Sequence, residues 1–335
     1  MPNNELNRQM HLVRRPAEKM TPLDFQLVEV PVLNPGAGQI LVRQKWLSID
    51  PGLRERMNDE KSYLPPQPLG EVMMSGGAGE VVQSNHPKFA VGDQVIGLGN
   101  WQIFATMDGA AVTRVDTAKA PLAAFLGAAG VPGITAWYGL RKIIAPQAGE
   151  TIVVSAASGS VGGVVGQLAK LSGCRVVGVA GGPLKCRYVV NELGFDACVD
   201  HRADDFEAQL AAATPKGIDG CFENVGGMVL DAVMRRLNLF ARVAVSGLIA
   251  GGYDGRPVPI ADANMFSTAR IKMEGFIVFD HREFWPEARS ELVDLIAAKR
   301  LKYRESIATG LESAPGALID VLEGRNFGKQ LVELP

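Results

Sequence analysis

Cysteine is scarce in this 335-residue chain: Cys174, Cys186, Cys198 and Cys221 are all there is, and none precedes position 174. Their spacings of 12, 12 and 23 give no CxxC pair and no metal-ligand template. Reduced thiols in a cytoplasmic protein are the expectation. Long apolar runs are missing too. The nearest, from Ala120 to Val131, is short and broken by proline and glycine, so no membrane span is predicted. The opening MPNNELNRQMHLVRRP lacks the apolar centre of a secretory signal. There is no long basic run, and the net charge is −2, which argues against a nucleic-acid partner.

What is abundant is glycine. The 38 glycines exceed ordinary usage, and many fall where a strand would turn into a helix. The first 120 or so residues read as short strands between turns, among them Gln39–Trp46, Gly79–Gln83 and Gln94–Gly97. Pro35-Gly36, Pro51-Gly52 and Gly92-Asp93 mark the turns, and the whole predicts a partly open β-barrel. A helical apolar region over 120–140 follows, interrupted at Pro132-Gly133.

From Thr151 the pattern changes to strands alternating with helices. Apolar runs at 151–155, 175–179, 197–199, 218–222, 242–246 and 271–279 alternate with helical stretches at 161–171, 184–193, 204–213, 229–237 and 282–299. That alternation predicts a doubly wound parallel sheet, making the chain an α/β protein. The tail should contribute a helix near 315–322 and a strand at 330–334, and return to the β domain. The resulting division is 1–125 with 302–335 for one domain and 126–301 for the other.

The segment Ser155-Ala-Ala-Ser-Gly-Ser-Val-Gly162 lies between the first of these strands and its helix. Read as [GA]xGxxG it comprises Ala157, Gly159 and Gly162, with Ser160 and Val161 at the helix start. Such a turn brings the backbone close to a pyrophosphate and lets the helix pack on the sheet. The helix N-terminus then offers N–H groups to the phosphates. The second strand ends Val179-Ala-Gly181-Gly-Pro-Leu-Lys185, with no Asp or Glu to hold a ribose 2′-hydroxyl. Small residues leave room for a 2′-phosphate, and Lys185 supplies attraction, so NADPH is the predicted cofactor. His201, Arg202 and Arg187 are further candidates for that phosphate. Asn224, before Val225-Gly226-Gly227 and after the fourth strand, is a candidate cofactor contact or a turn former. Gly247, after the fifth strand, is a candidate at the same sheet edge.

The run AASGSVGGVVGQLAKLSGCRVVGVAG, the segment FENVGG, the tail GRNFGK and Ser48–Met57 (SIDPGLRERM) resemble the medium-chain dehydrogenase/reductase superfamily. Within it they resemble the zinc-free prostaglandin reductase, leukotriene B4 dehydrogenase and curcumin reductase group, over nearly the whole chain. The resemblance implies a GroES-like domain, a Rossmann domain, NADPH, a homodimer, and reduction of small unsaturated carbonyl compounds. It implies that Lys185 holds the 2′-phosphate, that His201 stands where a tyrosine often lies near the adenosine ribose phosphate, and that Asn224 and Asn326 contact the cofactor. It also implies that Tyr253 assists enolate chemistry, although GLIAGGYDG carries what looks like an extra residue before it. At Gly52 relatives often carry tyrosine, which implies a more open pocket wall here. Zinc-dependent relatives need cysteines that this chain lacks before position 174, so both of their zinc sites are excluded on ligand count.

The predicted reaction is hydride delivery to the β-carbon of an α,β-unsaturated ketone or aldehyde. The Tyr253 hydroxyl or a cofactor ribose hydroxyl would steady the enolate oxygen, with Tyr253 or water returning the proton. Arg54 and Arg56 are candidates for an acidic substrate group or for surface salt pairing. Met265, with Trp137, Tyr138, Phe104, Phe266 and Phe279, is a candidate either for an apolar pocket or for core. Quinone reduction with the same cofactor is the enzymatic alternative, and a non-catalytic NADPH-binding sensor is the other.

Overall fold

Short strands ended by turn residues build the first part of the chain: β1 (Leu6–Leu12), β2 (Phe25–Pro31), β3 (Gln39–Ile49), β4 (Glu71–Val72), β5 (Gly77–Ser84), β6 (Gln94–Gly97), β7 (Phe104–Asp108) and β8 (Thr113–Arg114). These are taken from a computed structural model, which describes residues 6–17, 19–60, 62–251 and 257–335. The chain divides into two compact units, Met1–Gly127 with Glu305–Pro335, and Ala128–Arg304.

In the first unit, β1 pairs with β2 and β4. A larger sheet runs β15-β16-β3-β5-β6-β8, with β7 also on β3, where β15 is Glu305–Thr309 and β16 is Lys329–Glu333. The tail therefore does return to the β domain: β16 lies antiparallel to β3, pairing Leu331 with Ser48. Leu12, Leu47, Met57, Met73, Trp101, Leu318 and Val332 are buried together in its core. Each such side chain contributes about 1.5–3 kcal/mol through burial. The turn after β3 is a short helix, α1 (Gly52–Glu55), which carries Leu53 into this core.

The second unit is a six-stranded sheet of order β11-β10-β9-β12-β13-β14, every neighbouring pair parallel. The strands are β9 (Thr151–Val154), β10 (Arg175–Ala180), β11 (Ala197–Asp200), β12 (Ile218–Glu223), β13 (Leu237–Val245) and β14 (Lys272–Gly275). All four residues of β9 are buried, as expected for a strand covered on both faces. The covering helices are α2 (Val131–Tyr138), α3 (Gly162–Leu171), α4 (Pro183–Asn191), α5 (Phe206–Ala213), α6 (Gly227–Met234), α7 (Met265–Thr268) and α8 (Trp285–Ala297), and α9 (Ala314–Leu322) belongs to the first unit. The strand order reverses at β9, which puts the ligand-binding edge of such a sheet at the carboxyl ends of β9 and β12.

Three local expectations change. Pro132 does not interrupt a helix but starts one, sitting in the first turn of α2, where a missing N–H costs nothing. β13 begins at Leu237 rather than 242, with an irregular register against β12 and Phe240 in a left-handed conformation (φ 63°). β14 stops at Gly275 because the aromatic residues after it turn back onto α2. There Tyr138 stacks on His281 at 4.1 Å and packs on Phe276 at 5.4 Å.

Candidate dinucleotide site

The turn after β9 is pinned from below before it reaches the helix. Ser155 N–H donates to Phe222 O at 3.1 Å, and Ala157 N–H to Val179 O at 3.0 Å. Ala156 is left-handed (φ 48°), an unusual state for alanine that costs about 1 kcal/mol or more. The turn thus begins one residue before the first position of the glycine motif. Gly162 is needed for close approach, since a Cβ there would lie 2.5 Å from Ala156 O and push α3 off the turn. With α3 seated this way, Ser160 and the cap residue Val161 lead into the helix and Gly162 opens it, at the end where the helix itself supplies no acceptors for N–H groups.

A second support comes from β12. Glu223, fully buried, accepts from Ser155 Oγ at 2.9 Å, from Val225 N at 2.5 Å and from Gly226 N at 2.7 Å. Burial pushes its carboxyl above the usual range, with the Gly226 and Val225 N–H groups acting against that shift. Asn224 is pulled over Ser155, donating its backbone N–H to Ser155 Oγ at 2.7 Å and its side-chain amide to Ser155 O at 2.8 Å. Gly247 follows β13 at the same edge, next to Ser246, whose N–H bonds Glu223 O at 2.9 Å. Glu223 was not singled out from sequence. Its signal, an acid closing an apolar strand just before NVGG, reads equally well as a surface residue.

The end of β10 is where the nucleotide's phosphate state would be read. A Cβ on Gly181 would lie 2.9 Å from His201 Nε2 and 3.0 Å from Arg202 Nε, so imidazole and guanidinium both lie over this glycine. Lys185, half-buried on α4, has its ammonium pKa lowered by burial and by Arg202. His201 is lowered by burial and then by Arg202, with Asp200 acting the other way. Cations that depress one another form a site that an anion would relieve. The nearby carboxylate is engaged elsewhere: Asp200 accepts from Gly182 N at 2.8 Å and Arg202 N at 2.9 Å. Burial works to raise Asp200, but these backbone bonds, together with the charges of His201 and Arg202, hold it below its ordinary value. Arg187 is exposed on α4. The residues present therefore fit a dinucleotide carrying a 2′-phosphate.

The remaining candidates are distributed differently. Met265, on α7, packs partly buried against the core of the second unit. Trp137, Tyr138 and Phe104 are buried, whereas Phe266 and Phe279 are exposed. Arg54 is buried, not a surface residue, and bonds Asn58 Oδ1. Arg56 is buried as well and donates to Pro65 O at 3.1 Å. Asn326 donates to Gly328 O at 3.1 Å in the turn before β16. Tyr253 lies outside the described residues. At Gly52, the Tyr63 hydroxyl lies 3.3 Å from where a Cβ would sit. Burial, then Glu55 and Asp50, raise the Tyr63 phenol above its ordinary pKa. The buried Lys329 ammonium bonds Asp50 and, at 2.9 Å, Ile49 O. Among the described residues, no group of three or more His, Cys, Asp or Glu side chains could hold a metal ion. Likewise, no helix among them is long and apolar enough to cross a membrane.

Residues 8–115 match a family model described as the N-terminal domain of oxidoreductase, and residues 160–297 match one described as zinc-binding dehydrogenase. The NADPH-dependent curcumin reductase of Escherichia coli is 44% identical, over 98% of this chain and 97% of its own. The NADP(+)-dependent 2-alkenal reductase of Nicotiana tabacum is 38% identical, over 89% and 88%. The crystal structure of CurA from Vibrio vulnificus in complex with NADPH superposes with a TM-score of 0.92 at 42% identity, covering 98% of this chain and 99% of that one.

Proposed function

The chain belongs to the zinc-free medium-chain dehydrogenases/reductases, in the group that holds the curcumin, prostaglandin and alkenal reductases, and from that premise we propose that it reduces the carbon–carbon double bond of small α,β-unsaturated ketones and aldehydes with NADPH. The observation that carries the cofactor half is the placement of His201 and Arg202 over Gly181, with Lys185 within electrostatic reach of Arg202 and Asp200 turned to backbone N–H groups. The substrate half is supported by the names of relatives that align along nearly their whole length: curcumin reductase, 2-alkenal reductase and (+)-pulegone reductase.

NADPH, when bound, supplies the hydride. The chain's own work is to hold and polarise. The N–H groups of Ser160, Val161 and Gly162 would hold the pyrophosphate, and the turn beneath them is fixed by Ala157 and Gly159. Lys185, His201 and Arg202 take the 2′-phosphate with charge-assisted hydrogen bonds. Asn224 and Gly247, at the carboxyl edge of the sheet, would contact the cofactor there, and Asn326 would contact its nicotinamide end. Hydride addition at the β-carbon leaves negative charge on the carbonyl oxygen, and a hydrogen-bond donor must meet it. Tyr253 is that donor, and it or a water returns the proton at the α-carbon. Arg54 and Met265 remain candidates for the substrate side.

The test is NADPH consumption across enals, enones, quinones and alcohols, with Tyr253→Phe in parallel. The reading expects enals and enones to lead the panel and the variant to lose kcat. Faster turnover of quinones would make the protein a quinone reductase. Tight NADPH binding with no turnover of any compound would make it a sensor.

A further inference from the structure

One buried carboxylate serves two turns at once. Glu223 closes β12 with no exposed surface, and its charge takes no part in the chemistry proposed above. Three donors converge on one of its oxygens, Oε1: Ser155 Oγ at 2.9 Å, Val225 N at 2.5 Å and Gly226 N at 2.7 Å. Among the described residues, the other oxygen, Oε2, has a single contact, the Cys221 thiol at 3.8 Å. Two of the three donors on Oε1 belong to the turn that opens α6, and the third to the first residue of the phosphate turn.

The Ser155 hydroxyl carries the constraint onward. It has one proton to donate. Directed at Glu223, with Phe222 O farther off at 3.4 Å, that proton leaves a lone pair for Asn224 N, which donates to Ser155 Oγ at 2.7 Å. The Asn224 side-chain amide donates in turn to Ser155 O at 2.8 Å. The two turns are thus joined through a hydroxyl whose direction the carboxylate sets.

We propose that Glu223 is a positioning residue for the dinucleotide: as a carboxylate it locks the phosphate turn to the turn over 224–226, and losing its charge weakens NADH and NADPH alike. Bonds to a charged acceptor are about twice as strong as bonds to a neutral one. A neutral carboxyl or amide in the same place keeps an oxygen but loosens its hold on Ser155 and on the opening of α6. Both turns lie at the carboxyl ends of β9 and β12, whereas His201 and Arg202 follow β11 and Lys185 follows β10. The 2′-phosphate group is therefore left untouched, and the two coenzymes suffer equally. The effect on affinity rests on the cofactor reading above.

No other charge faces this carboxylate. From β12 comes Cys221, whose thiol burial holds well above its usual value and so protonated. From β9 comes Ser155, from the α6 turn two N–H groups, and from the end of β13 the Ser246 N–H, which donates to Glu223 O at 2.9 Å. Burial raises the Glu223 carboxyl, against the bonds from Gly226, Val225 and Ser155. Its charge is lost as pH falls through a range above that of an exposed glutamate.

The experiment is isothermal titration of NADH and NADPH into wild type, Glu223→Gln and Ser155→Ala, with thermal melts, and an NADH series from about pH 8 to about pH 5. Glu223→Gln keeps the size and one acceptor oxygen and removes the charge. The expected result is affinity lower by about tenfold for both coenzymes, the scale of one hydrogen bond to a charged group, with their ratio unchanged. Ser155→Ala, which cuts only the link between the turns, should lower both by a smaller common factor. Wild-type NADH affinity should fall with pH, and that of Glu223→Gln should not. NADH is the probe because it carries no 2′-phosphate for His201 to meet. Unchanged affinities in a variant that only melts earlier, a loss confined to NADPH, or a wild-type NADH profile as flat as the variant's would overturn the proposal. Should Glu223→Gln fail to fold, the Ser155→Ala titrations and the wild-type pH series decide it. Wild type that binds neither coenzyme would strike the cofactor reading, and this proposal with it.

Discussion

Asn224 spends its side-chain amide on the carbonyl of Ser155, at 2.8 Å, tying the end of the fourth sheet strand to the end of the first. The cofactor edge is thus braced by the protein before any ligand arrives. Asn224→Ala should remove a bond worth about 1 kcal/mol, and Asn224→Asp should cost more, because a carboxylate oxygen would face a carbonyl oxygen. Thermal melts should rank wild type above alanine above aspartate. Equal melting of the two variants would contradict the brace.

The preference for phosphorylated nucleotide should be separable residue by residue. Lys185→Ala and Arg202→Ala should each weaken NADPH by about tenfold or more, the scale of one hydrogen bond to a charged group, and leave NADH nearly unchanged. Gly181→Ala should act on the same readout with little loss of melting temperature, since its Cβ meets only the tips of His201 and Arg202. Isothermal titration with both nucleotides checks all three.

His201 gives the site a pH dependence of defined sign. Burial, then Arg202, lowers its pKa in the free protein. The unfolded chain therefore binds the proton more readily, and this residue's contribution to stability is lost as pH falls through the ordinary imidazole range near about 6.5. A 2′-phosphate raises the same pKa, so NADPH should bind more tightly, relative to NADH, as pH falls through that range. His201→Gln should flatten the difference. An identical slope in the variant would assign the pH effect to another group.

Ala156 holds a left-handed conformation at the start of the phosphate turn. Ala156→Gly should relieve it and stabilise the protein by about 0.5–1 kcal/mol, in spite of the greater freedom glycine gives the unfolded chain. A melting temperature higher by a degree or more, with unchanged NADPH affinity, is the expected outcome. A drop in melting temperature would show that the methyl group is packed rather than strained.

Much of this was readable in the sequence, for a physical reason: periodicity reports local structure. The βαβ alternation, the glycine turn, the missing acid after the second strand and the return of the tail all rest on short-range patterns. What escaped depends on contacts distant in sequence. Glu223 becomes a brace only because Ser155 lies beneath it, 68 residues away. Arg202 and Arg187 read alike as phosphate candidates, and only the pairing of β11 with β10 sets Arg202 over Gly181 while Arg187 is exposed on α4. That the Tyr63 hydroxyl lies next to Gly52 is likewise a matter of the fold, eleven residues on in the chain. Pro132 read as a break because helix starts and helix breaks use the same residue.

Hydride placement tests the central claim most directly. The protein should be given an enone with NADPH deuterated at the transferable position, and the product analysed by mass and NMR. The account predicts a saturated ketone with one deuterium at the former β-carbon, and little product with deuterated NADH. Deuterium on the carbonyl carbon, an allylic alcohol, or equal yield from the two coenzymes would contradict it.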